Sequence, residues 1–309
     1  MAAGVAYCWW RGEKFRKRAW MGLAPRRATA RRGGCERRNS FAPPPTTQHL
    51  ARCCDNKPME NKLALVTGAS SGIGAATAPA LAGAGFTVIC AARRVDRIEA
   101  LAAEIKGRAV PCDVTSDKSV AALAKAVGPS LDVLVNNAGA AFGQDPVETA
   151  ALADWTAMFE LNVVGAARVT QAMLPALEAA QGTVVFMSST AAEMPYEGGG
   201  GYCGAKSAVR SMAGALRLEL SGKPIRVCEI SPGMVQTDEF SLNRFGGDQA
   251  KADAVYAGVP QPLVAEDIAD AIMWMCTRPA HVNIDRMVVR PVAQAANFKV
   301  FRGQYPAKL

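Results

Sequence analysis

The 309-residue chain is half apolar and one-fifth charged, which is ordinary for a soluble globular protein. Residues 1–58 hold 13 Lys/Arg and 3 Asp/Glu, whereas the remaining 251 residues hold 22 and 24, so the formal net charge of +8 belongs to the N-terminal stretch. A nucleic-acid enzyme normally carries a positive patch on its folded body. The composition therefore argues against that class and predicts no nucleic-acid partner.

The basic stretch of residues 1–58 is expected to be a solvated, disordered tail. Binding of a polyanion is the alternative, and the Arg-rich, acid-poor composition weakly resembles an organelle transit peptide. Met59 stands directly before the first predicted strand, so residues 1–58 also fit a start-site extension. Residues 59–309 are then the catalytic domain.

From Lys62 onward, apolar runs of strand length alternate with helical patterns. Residues 63–92 carry no charge, but five glycines and Pro79 interrupt them, so a strand, a helix and a second strand explain them better than a membrane span does. The predicted strands are 63–67, 86–91, 109–113, 131–136, 183–188, 225–231 and 287–290, and the predicted helices are 73–84, 95–106, 117–127, 154–180, 202–220 and 266–277.

This alternation predicts one α/β domain of Rossmann type, with a doubly wound parallel sheet of about seven strands. Residues 233–262 are rich in Gly, Pro and polar residues and fit no long element. Because ligands bind beyond the carboxyl ends of such strands, we expect this segment to be a substrate lid.

The nine cysteines and two histidines are scattered, and no CxxC pair or Cys/His cluster of zinc spacing is present in the sequence. We therefore expect no metal site. An odd number of cysteines in a large apolar body is typical of buried thiols in a reducing compartment, which favours the cytoplasm.

A glycine-rich turn joins the first predicted strand to the first predicted helix. Gly68 permits a sharp turn, Gly72 lets the backbone approach a pyrophosphate, and Gly74 allows the helix to pack closely on the strand. The helix N-terminus then presents free N–H groups to the anion. A glycine triplet alone is weak evidence, but its position within a βαβ unit predicts dinucleotide binding.

The second predicted strand ends at Ala92-Arg93-Arg94. Folds specific for NAD usually place an acidic side chain about 20 residues beyond the glycines, where it binds the ribose 2′-hydroxyl. Two guanidinium groups instead suit a 2′-phosphate, because arginine donates parallel charge-assisted hydrogen bonds. Arginines are also common at a solvent-facing helix start, but the missing acid favours NADP as the cofactor.

Tyr202 and Lys206 lie four residues apart on a predicted helix and therefore share one face. An ammonium near a phenol stabilises the phenolate, so we expect Lys206 to lower the pKa of Tyr202 from its ordinary value near ~10 into the range of proton transfer. Ser189, at the end of a predicted strand, is placed to donate a hydrogen bond to a carbonyl oxygen.

Together these segments resemble the short-chain dehydrogenase/reductase family over essentially all of residues 61–300. The matching residues are, in chain order, Thr67-Gly68-Ala69-Ser70-Ser71-Gly72-Ile73-Gly74, Asp113, Asn136-Asn137-Ala138-Gly139, Asn162, Ser189, Tyr202, Lys206 and Pro232-Gly233. These motifs, in the same order and at matching spacing, do not recur together by chance.

The resemblance implies roles for these positions. Tyr202 would be the general acid/base, Lys206 would bind the nicotinamide ribose and tune Tyr202, Ser189 would orient the substrate oxygen, and Asn162 would anchor a water relay to Lys206. The implied cofactor-binding residues include Asp113 and Val114 at the adenine, Asn137 at the ribose and Thr237 at the nicotinamide or pyrophosphate. The complete predicted set is Gly68, Ser70, Ser71, Gly72, Ile73, Gly74, Arg93, Arg94, Asp113, Val114, Asn137, Tyr202, Lys206, Pro232, Gly233, Val235 and Thr237.

A finer resemblance concerns the branch of NADP-dependent 3-hydroxy acid dehydrogenases, which includes serine and allo-threonine dehydrogenases. It rests on the segments 194–199, 237–245 and 279–284. A carboxylate substrate needs a cationic clamp, and Arg244 in the lid is our candidate, although a surface arginine explains it as simply. Ala192 stands where this branch usually has Gly, and Gln236 is a second departure, so the substrate is left open.

We therefore predict an NADP(H)-dependent dehydrogenase/reductase acting on a secondary alcohol or carbonyl compound, with a small 3-hydroxy acid as the favoured substrate. Ser189, Tyr202 and Arg244 would contact that substrate. The alternatives are a broad carbonyl or 3-oxoacyl-thioester reductase and, from another class, a non-catalytic NADP-sensing protein on the same fold. The resemblance also implies a homo-oligomer, a dimer or tetramer, and we expect no membrane partner.

Overall fold

The computed structural model describes residues 62–306. The predicted basic tail, residues 1–58, lies outside the described residues.

Seven strands form one parallel sheet. They are β1 (Lys62–Thr67), β2 (Phe86–Ala92), β3 (Arg108–Pro111), β4 (Val133–Asn136), β5 (Thr183–Met187), β6 (Arg226–Pro232) and β7 (Arg286–Val289). Their order across the sheet is β3-β2-β1-β4-β5-β6-β7, and every neighbouring pair is parallel. The predicted doubly wound parallel sheet is confirmed.

The connections between these strands are mostly helical. The helices are α1 (Gly72–Gly83), α2 (Val95–Glu104), α3 (Asp117–Val127), α4 (Leu152–Phe159), α5 (Gly165–Ala180), α6 (Gly200–Glu219), α7 (Phe240–Arg244), α8 (Gln249–Tyr256) and α9 (Ala265–Cys276). A small antiparallel hairpin, β8 (Gln294–Ala296) and β9 (Lys299–Val300), follows the sheet. Its strands are too short to give a periodic pattern, and the sequence did not predict them.

Both faces of the sheet are buried beneath helices. On β1, Leu65 faces the core cluster under α3, α5 and α6, whereas Ala64 and Val66 face the cluster under α1, α2 and α9. This two-sided burial explains the charge-free run of residues 63–92, which forms β1, α1 and β2 as predicted. Within residues 62–306, no helix is both long and apolar enough to cross a membrane.

The single helix predicted over residues 154–180 is interrupted. A π-helical turn, Glu160–Val164, separates α4 from α5. Inside it, the Asn162 side chain donates a hydrogen bond to the Met158 carbonyl oxygen at 2.8 Å. A side chain that competes for a helical carbonyl favours such a local irregularity, and π turns are frequent at functional sites.

The strand order reverses between β1 and β4, which are neighbours although β2 and β3 intervene in the sequence. In open α/β sheets the ligand crevice lies outside the carboxyl ends of the strands at this reversal. The loops after β1, β2, β4, β5 and β6 all open towards it. Residues 233–262, the lid segment, leave β6 at the same edge and contain only the short helices α7 and α8.

Candidate active site

The turn between β1 and α1 packs closely against the residues that follow β4. Gly68 has φ +66°, and a Cβ there would lie 2.9 Å from both Ala138 Cα and Asn137 Nδ2. A Cβ at Gly74 would collide with Asn137 Nδ2 and the Gly68 carbonyl oxygen. Asn137 Nδ2 donates to the Thr67 carbonyl oxygen at 2.9 Å. Glycine is therefore favoured at all three predicted positions, by close packing at Gly68 and Gly74 and by a positive φ at Gly68 and at Gly72, where φ is +52°.

Arg94 makes more side-chain hydrogen bonds than any other residue at the end of β2. Its Nε and Nη2 donate to Ser70 Oγ at 3.1 and 2.9 Å, and Nη2 also donates to Ser71 Oγ at 2.7 Å. Its Nη1 donates to both carboxylate oxygens of Glu239 at 2.8 Å. Arg93 is exposed beside it. Glu239 lies 145 residues away in the chain and was not predicted as a site residue.

Asp113 and Val114 follow β3 at the next edge of the crevice. Asp113 Oδ1 accepts hydrogen bonds from the Thr115 backbone N–H at 3.0 Å and from its hydroxyl at 2.8 Å. These bonds, chiefly the backbone one, hold the pKa of Asp113 below its ordinary value. The Asp113 carboxylate is therefore ionised and held in a fixed position.

Tyr202 and Lys206 lie on α6 as predicted, one turn apart. Lys206 is only 5% exposed, and its Nζ donates to the Met187 carbonyl oxygen at 2.9 Å. Burial lowers the pKa of Lys206 to about 8. The expectation that the pKa of Tyr202 would be lowered is wrong for this arrangement: burial raises it, and hydrogen bonding from Ser189 and the charge of Arg244 only partly offset that rise.

Ser189 begins a short 3₁₀ turn, Thr190–Ala192, directly after β5. Its Oγ accepts a hydrogen bond from the Ala191 N–H at 3.1 Å and donates to the Pro232 carbonyl oxygen at 3.4 Å. The Ser189 hydroxyl is thereby held at the mouth of the crevice, within reach of the Tyr202 phenol. It can orient a polar substrate atom there.

Asn162 lies behind Lys206. Its Nδ2 donates to the carbonyl oxygens of Ala140 and Met158, whereas its Oδ1 is buried and has no hydrogen-bond partner within residues 62–306. A Cβ at Gly139 would collide with Asn162 Oδ1 and lie 3.4 Å from Lys206 Nζ. Gly139 therefore lies between an acceptor and a buried ammonium, both within 3.4 Å of the position that its Cβ would take.

Arg244, at the end of α7, faces Tyr202. Its guanidinium carbon lies 6.0 Å from the centroid of the Tyr202 ring and 5.5 Å from that of Tyr196. Nε donates to the Gly143 carbonyl oxygen at 3.1 Å, but Nη2 is buried without a partner among the described residues. A buried, unsatisfied guanidinium donor is costly unless a ligand completes it.

The lid segment closes over the glycine-rich turn. A Cβ at Gly72 would lie 3.5 Å from Thr237 Cγ2, so the threonine lies directly over this glycine. The Val235 carbonyl oxygen accepts a hydrogen bond from the Tyr256 hydroxyl at 2.8 Å. The ring of Phe240 meets that of Tyr202 edge-on, with centroids 5.9 Å apart. Phe240 and Tyr196 were not predicted as site residues, because an aromatic side chain in a loop has no distinctive spacing.

Most of these groups line one cleft of about 900 Å³, at the upper end of the range of small-molecule sites. The predicted residues that line it are Gly68, Ser70, Ser71, Gly72, Ile73, Arg93, Arg94, Asp113, Val114, Asn137, Ser189, Tyr202, Lys206, Pro232, Gly233, Val235, Thr237 and Arg244. Gly74 and Asn162 lie behind it. The glycine cradle, the guanidinium groups at one end and the Tyr202 phenol at the other fit a phosphorylated dinucleotide with a small substrate beyond it.

Comparison with known proteins agrees with this geometry. The family model described as short chain dehydrogenase matches residues 62–244. An uncharacterised oxidoreductase of Mycobacterium tuberculosis is 53% identical over 236 residues, covering 76% of this chain and 93% of the relative. Serine 3-dehydrogenase of Agrobacterium fabrum is 44% identical over 246 residues, covering 77% and 97%.

A solved structure, the closed form of serine dehydrogenase complexed with NADP+, superposes with a TM-score of 0.73 at 34% identity. The match covers 80% of this chain and all of that one. The chain belongs to the short-chain dehydrogenase family and is an oxidoreductase.

Proposed function

We propose that this oxidoreductase uses NADP(H) to interconvert a small 3-hydroxy acid and the corresponding carbonyl compound. The observation that carries the substrate class is Arg244, whose Nη2 is buried without a hydrogen-bond partner among residues 62–306. Its guanidinium carbon lies 6.0 Å from the centroid of the Tyr202 ring. A carboxylate two bonds from the reacting carbon would reach this donor while its hydroxyl meets Tyr202. Arg244 is the substrate clamp in this proposal.

The donor set at the end of β2 supports NADP as the cofactor. Arg93 and Arg94 stand where an acidic residue would bind the free ribose hydroxyls of NAD, and Arg94 Nη1 donates to both oxygens of a carboxylate, an acceptor-only anion like the 2′-phosphate. The relative solved with NADP+ supports the same assignment. The glycine-rich turn and the N-terminus of α1 would hold the pyrophosphate, and Asp113 with Val114 would border the adenine.

The bound cofactor would supply or accept the hydride. In the oxidation direction, Tyr202 takes the proton of the substrate hydroxyl, and in reduction it returns a proton to the carbonyl oxygen. Ser189 donates a hydrogen bond to that oxygen and fixes its position. Lys206 provides a positive charge that favours the phenolate against the effect of burial, and a water between Lys206 and Asn162 Oδ1 passes the proton onward.

A substrate panel with a paired variant tests this proposal. Initial rates are compared for serine, 3-hydroxypropionate, a neutral secondary alcohol and a long 3-oxoacyl thioester, with both NADP(H) and NAD(H). Arg244→Gln should lower kcat/KM for the hydroxy acids about 100-fold, the cost of losing a buried charge partner, and should affect the neutral alcohol far less. Lys251→Gln removes the same charge from an exposed position of the lid segment and is the control.

Two results would overturn the proposal. One is turnover of the thioester without measurable turnover of either hydroxy acid, which would make the protein a thioester reductase. The other is no turnover of any substrate despite cofactor binding, which would make it an NADP-sensing protein.

A further inference from the structure

Glu239 links the lid segment to the arginines at the start of α2. Its two carboxylate oxygens accept hydrogen bonds from Arg94 Nη1 at 2.8 Å, and one of them also contacts Arg97 Nη1. Burial would by itself raise the pKa of Glu239, but hydrogen bonds from Arg94, Arg97 and Ser71 outweigh it and hold the pKa below its ordinary value. Glu239 is therefore an ionised carboxylate with three donors around it.

One of these donors, Arg94, is also a residue that the cofactor assignment gives to the 2′-phosphate. Arg94 donates from Nε and Nη2 to the Ser70 and Ser71 hydroxyls, so Nη1 is the donor through which it binds an anion. In the structure this Nη1 is bound to the carboxylate of Glu239. A carboxylate and a phosphate are both acceptor-only anions that fit a guanidinium fork. Two such anions at Arg94 Nη1 repel each other, so the binding of either one weakens the binding of the other.

We infer that Glu239 competes with the 2′-phosphate of the cofactor for Arg94, and so sets both the affinity for NADP(H) and the position of the lid segment. This inference rests on the proposed function, because it takes NADP(H) as the cofactor. NAD(H), which has no 2′-phosphate, leaves the contact between Glu239 and Arg94 intact.

The competition for Arg94 affects the substrate pocket because Glu239 is joined to α7. Glu239 is the residue immediately before α7, whose first residue, Phe240, packs edge-on against Tyr202 and whose last residue, Arg244, is the proposed substrate clamp. Release of Glu239 from Arg94 frees the N-terminal end of α7. The 2′-phosphate is thereby coupled to the segment that carries the substrate-binding side chain.

The test measures binding of nucleotides that lack the nicotinamide. Full-length wild-type protein, Glu239→Gln and Asp238→Asn are titrated by calorimetry with 2′,5′-ADP and with 5′-AMP. Asp238 is exposed, neighbours Glu239 and takes part in none of the ion pairs found between residues 62 and 306, so its variant makes the same charge change without touching Arg94.

Glu239→Gln should bind 2′,5′-ADP about fivefold more tightly than wild type, the scale of a partly exposed ion pair. Its affinity for 5′-AMP should be unchanged, and Asp238→Asn should behave as wild type. Unchanged or weaker binding of 2′,5′-ADP by Glu239→Gln would overturn the inference, since Glu239 would then only position Arg94. Equal affinity of the wild type for 2′,5′-ADP and 5′-AMP would instead refute the proposed cofactor itself.

A second measurement reports on the lid segment directly. Backbone hydrogen exchange over residues 236–256 should be faster in Glu239→Gln than in Asp238→Asn, and 2′,5′-ADP but not 5′-AMP should accelerate it in the wild type. Identical exchange in both variants, with no response of the wild type to 2′,5′-ADP, would contradict the coupling between Arg94 and α7.

Discussion

The ammonium nitrogen of Lys206 lies 5.7 Å from the centroid of the Tyr202 ring, one turn along the same helix. The two side chains are not hydrogen-bonded to each other in the structure; Lys206 instead donates to the Met187 carbonyl oxygen. In the proposed function the lysine therefore acts on the phenol through its charge rather than through a direct hydrogen bond. Its burial makes that charge costly for the fold.

Lys206→Met should make the protein more stable at neutral pH while abolishing turnover. Burial lowers the pKa of Lys206 from 10.5 to about 8, so keeping it charged at pH 7 costs about 3 kcal/mol. Loss of the hydrogen bond to Met187 offsets about 1 kcal/mol of that gain. We expect the free energy of unfolding of the variant to exceed that of the wild type by about 2 kcal/mol at pH 7.

This difference should reverse at alkaline pH, where only the lost hydrogen bond to Met187 remains and the wild type should be the more stable protein by about 1 kcal/mol. Below about pH 8 the amine is charged in both states, and the cost of burying the charge is fully present. Between pH 8 and 10.5 the unfolded chain binds the proton and the folded chain does not, so stability rises with pH. Denaturant unfolding at both ends of this window measures it, with the exposed Lys118→Met as control. A Lys206→Met variant less stable than wild type by the same amount at both pH values would show that burial of the charge costs nothing.

Gly74→Ala and Gly83→Ala form a matched pair within α1. A Cβ at Gly74 would collide with Asn137 Nδ2 and the Gly68 carbonyl oxygen, whereas a Cβ at Gly83 meets nothing within 4 Å. We expect Gly74→Ala to cost about 2 kcal/mol of stability by overpacking and to weaken NADPH binding. Gly83→Ala should stabilise the fold by about 0.5 kcal/mol through the unfolded chain. Thermal unfolding and NADPH titration of both variants give the comparison; equal effects would mean that the turn is not held by close packing.

The fold was predictable because the repeating signals are local. The charge-free run through β1, α1 and β2 and the alternation that follows predict a doubly wound parallel sheet, and the motif order places Ser189, Tyr202 and Lys206 at one edge of it. The interruption of the helix at Asn162 was not predictable from periodicity, because the segments on either side of the π turn each keep the helical period and the extra residue changes only the phase between them.

The contacts that cross the cleft could not be predicted from the sequence because their partners are far apart in the chain. Arg94 and Glu239 are 145 residues apart, and neither spacing nor composition indicates that a lid acid meets that arginine. The pKa of Tyr202 was misjudged because a sequence shows which charge is near but not how far the phenol is buried. Burial depends on tertiary packing, here against Phe240 and the lid segment.

Tyr202→Phe tests the central claim most directly, because it removes one oxygen and keeps the ring that packs against Phe240. Turnover of the best hydroxy acid with NADP+ and the dissociation constant of NADPH are measured on the same preparation. We expect kcat to fall about 1,000-fold or more, as for loss of a general acid/base, while NADPH binds as in the wild type. Wild-type turnover by Tyr202→Phe would contradict the assignment of proton transfer to Tyr202.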